Sequence, residues 1–164
     1  MTLPIFEGVV RPEWIDSNGH MNLACYIVAF DLATDALYDA LDIGAAYRAR
    51  SGSSSFVVET HTLYERELRE GAPFSIRSRL LAVDGKRLHF VHEMHDAEGA
   101  RAALHELLCI HIDMASRRVA PWPEATRARL AAAVATGQGA WPAGVGRRVG
   151  ETRGGAVRGD PPRA

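Results

Sequence analysis

Cysteine is nearly absent from this chain of 164 residues, which has only Cys25 and Cys109. Both sit inside apolar segments and form no Cys-x-x-Cys pair, which argues against a disulfide framework or a cysteine zinc site and for buried, reduced thiols. An excess of one charge is also missing. The formal net charge is -1, so nothing electrostatic points to nucleic acid or a membrane surface as partner. No apolar run approaches membrane-spanning length, and the start, MTLPIFEG, has neither a basic nor an apolar leader region. No export is expected, and a cytoplasmic location is. What is present is an apolar fraction of 47% in a chain the size of one domain, enough for a single hydrophobic core and a small ligand.

The stretch PIFEGVVRPEW, with β-branched and aromatic residues closed by Pro12, predicts a short strand. From Asn22 to Asp42 the period changes. Leu23, Tyr26, Ile27, Phe30, Ala33, Leu37 and Leu41 recur at steps of three and four, which predicts a helix. Ala24, Cys25, Val28 and Ala29 make its other side apolar too, so it should be surrounded, for example by a curved sheet. After a Gly/Ser linker, GSSSFVVETHTLYEREL alternates as a strand. Phe56, Val58, Thr60, Thr62 and Tyr64 fall on one face, and Val57, Glu59, His61 and Leu63 on the other. FSIRSRLLAVD runs into Asp84-Gly85, a type I′ hairpin signal, and KRLHFVHEMHD returns. DAEG makes a second tight turn into ARAALHELLCIHID. Its Ala/Leu/Glu content suits a helix, but two hairpin turns in series favour a further strand of a meander. PEATRARLAAAV predicts a short terminal helix. A domain over 1–139 is followed by a Gly/Pro/Arg-rich tail over 140–164, expected to be disordered.

Between the first strand and the helix stands WIDSNGHMN. Asn18-Gly19 reverses the chain cheaply and enters the helix with backbone N–H groups unpaired. A carboxylate at Asp16 would be held there, and the same N–H groups could polarise a carbonyl and stabilise an oxyanion. The plainer alternative is that Asn22 or Asp16 caps the helix and His20 is a hydrogen-bonded surface residue.

WIDSNGHMN followed by ACYIVAFDLATD resembles the signature of hotdog-fold acyl-CoA thioesterases of the 4-hydroxybenzoyl-CoA thioesterase superfamily, roughly D-x-[DN]-x-x-G-H-[VM]-N before an aromatic-rich helix. Asp16 falls on the second acidic position; Trp14 occupies the first, so that acid's role does not carry over. Asp16, Asn18 and His20 also match the Asp-x-Asn-x-His arrangement of plant acyl-ACP thioesterases. FVVETHTLYERELREGAPFSIRSRLLAVDGKRLHFVHEMHDAEG resembles the second half of the betainyl-CoA thioesterases of carnitine catabolism. The likeness spans Val9 to Pro123. It departs at Gly71-Ala72, where many relatives have Gly-Asp, and at Ala103-Leu104, where many have Ala-Thr.

The resemblance implies an α+β hotdog fold, an antiparallel sheet wrapped around one long helix with a short C-terminal helix. It also implies hydrolysis of an acyl-CoA thioester, most closely betainyl-CoA, in a homodimer or higher homo-oligomer with its site at the subunit interface and no metal or organic cofactor. Asp16 is then the general base or nucleophile, backbone N–H groups of Met21 to Leu23 the oxyanion donors, Asn18 orients water or substrate, and His20 braces the turn or assists proton transfer. Glu59 becomes a second catalytic or cation-binding carboxylate. Trp14, Gly19, Met21, Asn22 and His61 are the substrate-binding candidates. Betaine carries a quaternary ammonium, for which Trp14, Tyr26, Phe30, Phe56 and Tyr64 are possible aromatic walls, Trp14 foremost.

His89, His92 and His95 recur every third residue, whereas strand faces repeat every second. His89 and His95 alone would share a face, too far apart for one zinc ion at ~3.3 Å per residue. His105 and His111 share one side of the next strand. Two rivals to hydrolysis are a hotdog acyl-CoA dehydratase and a non-catalytic acyl-CoA-binding module, since one scaffold hosts several activities.

Overall fold

The computed structural model of the chain describes residues 2–137, 139–149, 151–152 and 155–156. Strand β1 (Ile5–Val9) and a 3₁₀ turn (Pro12–Trp14) lead into helix α1 (Leu23–Ala40). A short helix α2 (Ala45–Ser51), which the sequence reading does not foresee, precedes strands β2 (Ser53–Tyr64), β3 (Pro73–Val83), β4 (Arg87–His95) and β5 (Arg101–Asp113). A two-residue strand β6 (Arg118–Val119), helix α3 (Glu124–Thr136) and a small pair, β7 (Glu151–Thr152) with β8 (Gly155–Ala156), follow. The main sheet runs β1-β3-β4-β5-β2, each neighbour antiparallel. This is the hotdog arrangement, and the segment read as a strand despite its helical composition is β5.

Helix α1 lies along one face of this sheet. Phe30 is fully buried, stacked on His105 at 4.9 Å and on His92 at 5.9 Å between ring centroids. The two histidines are direct cross-strand partners. Each is held by hydroxyls: His92 by Thr34 (2.9 Å) and Ser78 (2.8 Å), His105 by Thr62 (2.7 Å). Further along, the Tyr38 hydroxyl lies 2.9 Å from the buried Cys109 sulfur. His111 shares this face, 2.8 Å from the Tyr47 hydroxyl.

Among the described residues, the helix is covered on one side only. Tyr26, Ala29, Phe30, Ala33 and Leu37 are buried, while Leu23, Ile27, Val28 and Leu32 stay exposed. A single sheet reaches only the face turned towards it, so the expected enclosure is half complete in one chain. The exposed Val57, Val58 and Tyr64 of edge strand β2 extend the same apolar character.

Two local expectations change. The register of β2 on β5 shifts between Val57 and Glu59. The extra residue at Val58 moves Phe56 away from Thr60, Thr62 and Tyr64, and moves Val57 to the helix side. The β3–β4 hairpin forms at Asp84-Gly85, but neither residue has positive φ, so it is not a type I′ turn. The Asp84 carboxylate organises it by accepting the backbone N–H groups of Lys86 (2.9 Å) and Arg87 (2.7 Å), and these bonds with the Arg87 side chain hold it down to about 2.

The outer face of the sheet carries part of the segment expected to be an unstructured tail. Arg79 donates to the carbonyls of Gly139 and Ala140, Arg101 donates to that of Ala143, and the Glu106 carboxylate accepts the Gly146 N–H, each at 2.8 Å. Val145 packs against Leu81, Val91 and Leu104. The remainder of that expectation, at 150, 153–154 and 157–164, lies outside the described residues.

Candidate active site

The turn before α1 is built by its own side chains. Asp16 Oδ1 accepts the backbone N–H of Asn18 at 2.8 Å, and Gly19, at φ 79°, donates its N–H to the Asp16 carbonyl at 3.0 Å. A left-handed residue closing a reversal is what glycine tolerates best. Asn22 is the cap of α1: its side chain accepts the Ala24 N–H at 2.9 Å. Capping therefore falls to Asn22, and the bond shown for the Asp16 carboxylate is the one within the turn, from the Asn18 N–H.

Of the three amides expected as oxyanion donors, Met21 N–H is bonded to the Leu68 carbonyl and Asn22 N–H to that of Trp14, both at 2.8 Å. Leu23, the first residue of the helix, places its N–H at the positive end of the helix dipole.

A cleft of about 360 Å³ opens here, lined by Asp16, Asn18, His20, Met21 and Leu23 on one side and by Tyr26 and Tyr64–Glu67 on the other. The second wall is tied to the first by the Tyr64 hydroxyl, which donates to the Leu23 carbonyl at 3.3 Å, and it is braced within itself. The Tyr26 hydroxyl donates to the Arg66 carbonyl (3.1 Å) and accepts the Leu68 N–H (3.2 Å). Tyr26 and Tyr64 meet in a T-shaped contact with centroids 5.3 Å apart. Burial raises the pKa of both tyrosines, with the Glu67 charge adding to the effect on Tyr26, so both remain neutral phenols. Glu65 is clamped by Arg101 through both carboxylate oxygens (2.8 and 2.9 Å), and Arg101 also holds Glu93 at 2.9 Å. These bonds raise the Arg101 guanidinium further above its ordinary value. His20 is half-buried, its Nδ1 3.3 Å from the Met21 carbonyl and its Nε2 3.9 Å from Glu67.

Asp16, Asn18, His20 and Met21 are thus together, as their spacing suggested. Gly19 and Asn22 shape the turn and cap the helix. Trp14 is not a wall of the cleft: its ring is buried, tilted against Phe74, with the Arg11 guanidinium 5.1 Å from its centroid. Glu59 and His61 do not reach Asp16 within the chain. Pairing with Leu108 and Glu106 turns them to the outer sheet face, where they line a separate cleft with His89, Glu106 and Arg147. The acids of YEREL, Glu65 and Glu67, are not singled out by the sequence. The signal was available in Tyr64 leaving its strand beside two glutamates.

A family model described as the thioesterase-like superfamily matches residues 10–130. The chain is 38% identical over 151 residues to a betainyl-CoA thioesterase of Pseudomonas aeruginosa, covering 90% of this chain and 94% of that protein. It is 33% identical over 154 residues to an L-carnitine dehydrogenase/betainyl-CoA thioesterase of Rhizobium meliloti, covering 92% of this chain and 31% of that longer protein. A Staphylococcus aureus protein solved in complex with CoA superimposes with a TM-score of 0.83 at 25% identity, covering 93% of this chain and 98% of that one.

Proposed function

The chain belongs to the thioesterase-like superfamily and is a thioesterase-family hydrolase; from that premise we propose that it hydrolyses betainyl-CoA to glycine betaine and CoA in carnitine degradation. The observation that carries the reading is the Asp16 carboxylate, relieved of capping by Asn22 and facing a cleft with the Leu23 amide.

Asp16 takes a proton from a water molecule as its oxygen attacks the thioester carbonyl, and the Leu23 N–H stabilises the oxyanion. The tetrahedral intermediate collapses, the C–S bond breaks, and the CoA thiolate leaves with the proton that Asp16 took from water, which restores the carboxylate. Asn18 orients the water and His20 braces the turn. Direct attack by the carboxylate would use the same residue and pass through an anhydride.

The apolar face left open on α1 and the free edge of β2 favour a homodimer in which two β2 strands pair antiparallel about a two-fold axis. A second copy would cover Ile27, Val28, Val57 and Val58 and close the open side of the cleft. The unpaired Cys25 and Cys109 thiols suit the cytosol, where acyl-CoA is found.

The test is thiol release from betainyl-CoA, acetyl-CoA, a medium-chain acyl-CoA and 4-hydroxybenzoyl-CoA. Fastest release from betainyl-CoA supports the substrate. Preference for another thioester discards betaine and keeps the reaction, and no release from any favours a dehydratase or binding module.

A further inference from the structure

In a betainyl thioester a single methylene separates the quaternary nitrogen from the carbonyl carbon, placing the two about 2.5 Å apart by ordinary bond lengths and angles. Whatever binds the cation must therefore stand in the cleft where the carbonyl is attacked. A quaternary ammonium has no N–H to donate, so it is recognised by an aromatic face and a carboxylate.

Most aromatic rings of the chain are unavailable for this. The Arg11 guanidinium stands over Trp14 and that of Arg117 over Phe56, at 5.1 and 5.3 Å. Phe30 is fully buried between His92 and His105. Tyr26 lines the cleft, but as a residue it is only 3% exposed. Tyr64 lines the same cleft and is 46% exposed, its ring set by the T-shaped contact with Tyr26 and by a 3.3 Å hydrogen bond from its hydroxyl to the Leu23 carbonyl. Among the carboxylates, Glu65 is neutralised by Arg101 and Asp16 faces the water. Glu67 is the acid that remains, its side chain 65% exposed and His20 3.9 Å away.

Resting on the betainyl-CoA reading, we propose that Tyr64 and Glu67 are the specificity determinants of this enzyme: the Tyr64 ring receives the trimethylammonium group and Glu67 balances its charge. Tyr64 also carries the Leu23 carbonyl on its hydroxyl, so the cation-binding ring and the residue supplying the oxyanion amide are joined directly. Cation and carbonyl are thereby held in fixed relation.

The experiment compares kcat/KM for betainyl-CoA with that for 3,3-dimethylbutyryl-CoA, in which carbon replaces the quaternary nitrogen at the same shape. Wild type is expected to favour the cationic thioester. Tyr64→Leu lowers the cationic-to-neutral ratio about tenfold, the size of a partly desolvated cation–π contact. Tyr64→Phe keeps the ratio, because the ring and not the hydroxyl meets the cation. Glu67→Gln lowers it a few-fold, and less at high salt. The neutral thioester reports in each variant whether the enzyme is folded and competent. A preference for the cation that survives both Tyr64→Leu and Glu67→Gln overturns this inference alone. Failure of wild type to hydrolyse betainyl-CoA while it hydrolyses other thioesters overturns the substrate reading and this inference with it.

Discussion

Asp16 and Asn18 form a closed local unit: the carboxylate of the first accepts the backbone N–H of the second at 2.8 Å, two residues on. The bond fixes one carboxylate oxygen against the turn, and the carboxylate remains a wall of the cleft. The local chain direction thus aims the candidate base before substrate arrives. Such pre-organisation avoids reorganisation during the reaction.

The separation of duties between Asp16 and Asn22 predicts separable phenotypes. Asn22→Ala removes the cap and is expected to destabilise the protein by about 1 kcal/mol, read as a fall of a few degrees in Tm. An unchanged Tm would show that the Ala24 amide is satisfied without Asn22.

The buried His92 and His105 predict acid sensitivity. Burial, with the neighbouring His105, lowers His92 to about 3, and burial, with His61, lowers His105 to about 4. In the unfolded chain both return to about 6.5. The unfolded state then binds more protons, so stability is full above about pH 6.5 and is lost as pH falls towards the folded values. Urea unfolding at several pH values between about 7 and 5 should show falling stability, and His105→Gln should flatten the fall. Stability that rises on acidification would contradict this account.

Arg101 joins the cleft wall to the outer face. It grips Glu65 beside the cleft, Glu93 on β4 and the Ala143 carbonyl. Arg101→Ala is expected to raise KM more than it lowers kcat, because the wall loosens while Asp16 and Leu23 stay in place. Arg101→Lys should recover little, as a single ammonium does not reproduce a bidentate fork. An equal effect on kcat and kcat/KM would assign Arg101 to the reacting centre instead.

The dimer proposal is tested at Val58, exposed at the bulge of the edge strand. Wild type should elute with twice the chain mass, and Val58→Lys should shift it towards monomer and lower its activity. A wild-type monomer with full turnover would remove the partner from the site.

Much of this architecture could be read from sequence because local signals agreed with the fold. Asn22 marked the start of α1, and the serial turns at Asp84 and Asp96 identified β5 as a strand against its own composition. The bulge at Val58 could not be read that way. Strict alternation assigned Glu59 and Val57 to one face, and a single unpaired residue separates them. Trp14 stood near Asp16 in sequence, but its ring packs into the core beside Phe74. The segment around Trp141 and Val145 resembled a solvated tail in composition. Its hold on the sheet comes from backbone carbonyls and an amide meeting Arg79, Arg101 and Glu106, and composition carries no trace of such bonds.

The most direct measurement is thiol release from betainyl-CoA by wild type and Asp16→Asn, with Tm recorded for both. Asparagine keeps an oxygen for the Asn18 amide, so the turn and the Tm should be preserved. The rate should fall about a hundredfold or more, as loss of a positioned base requires. A folded Asp16→Asn protein that releases CoA at the wild-type rate would contradict the assignment of the reaction to this turn.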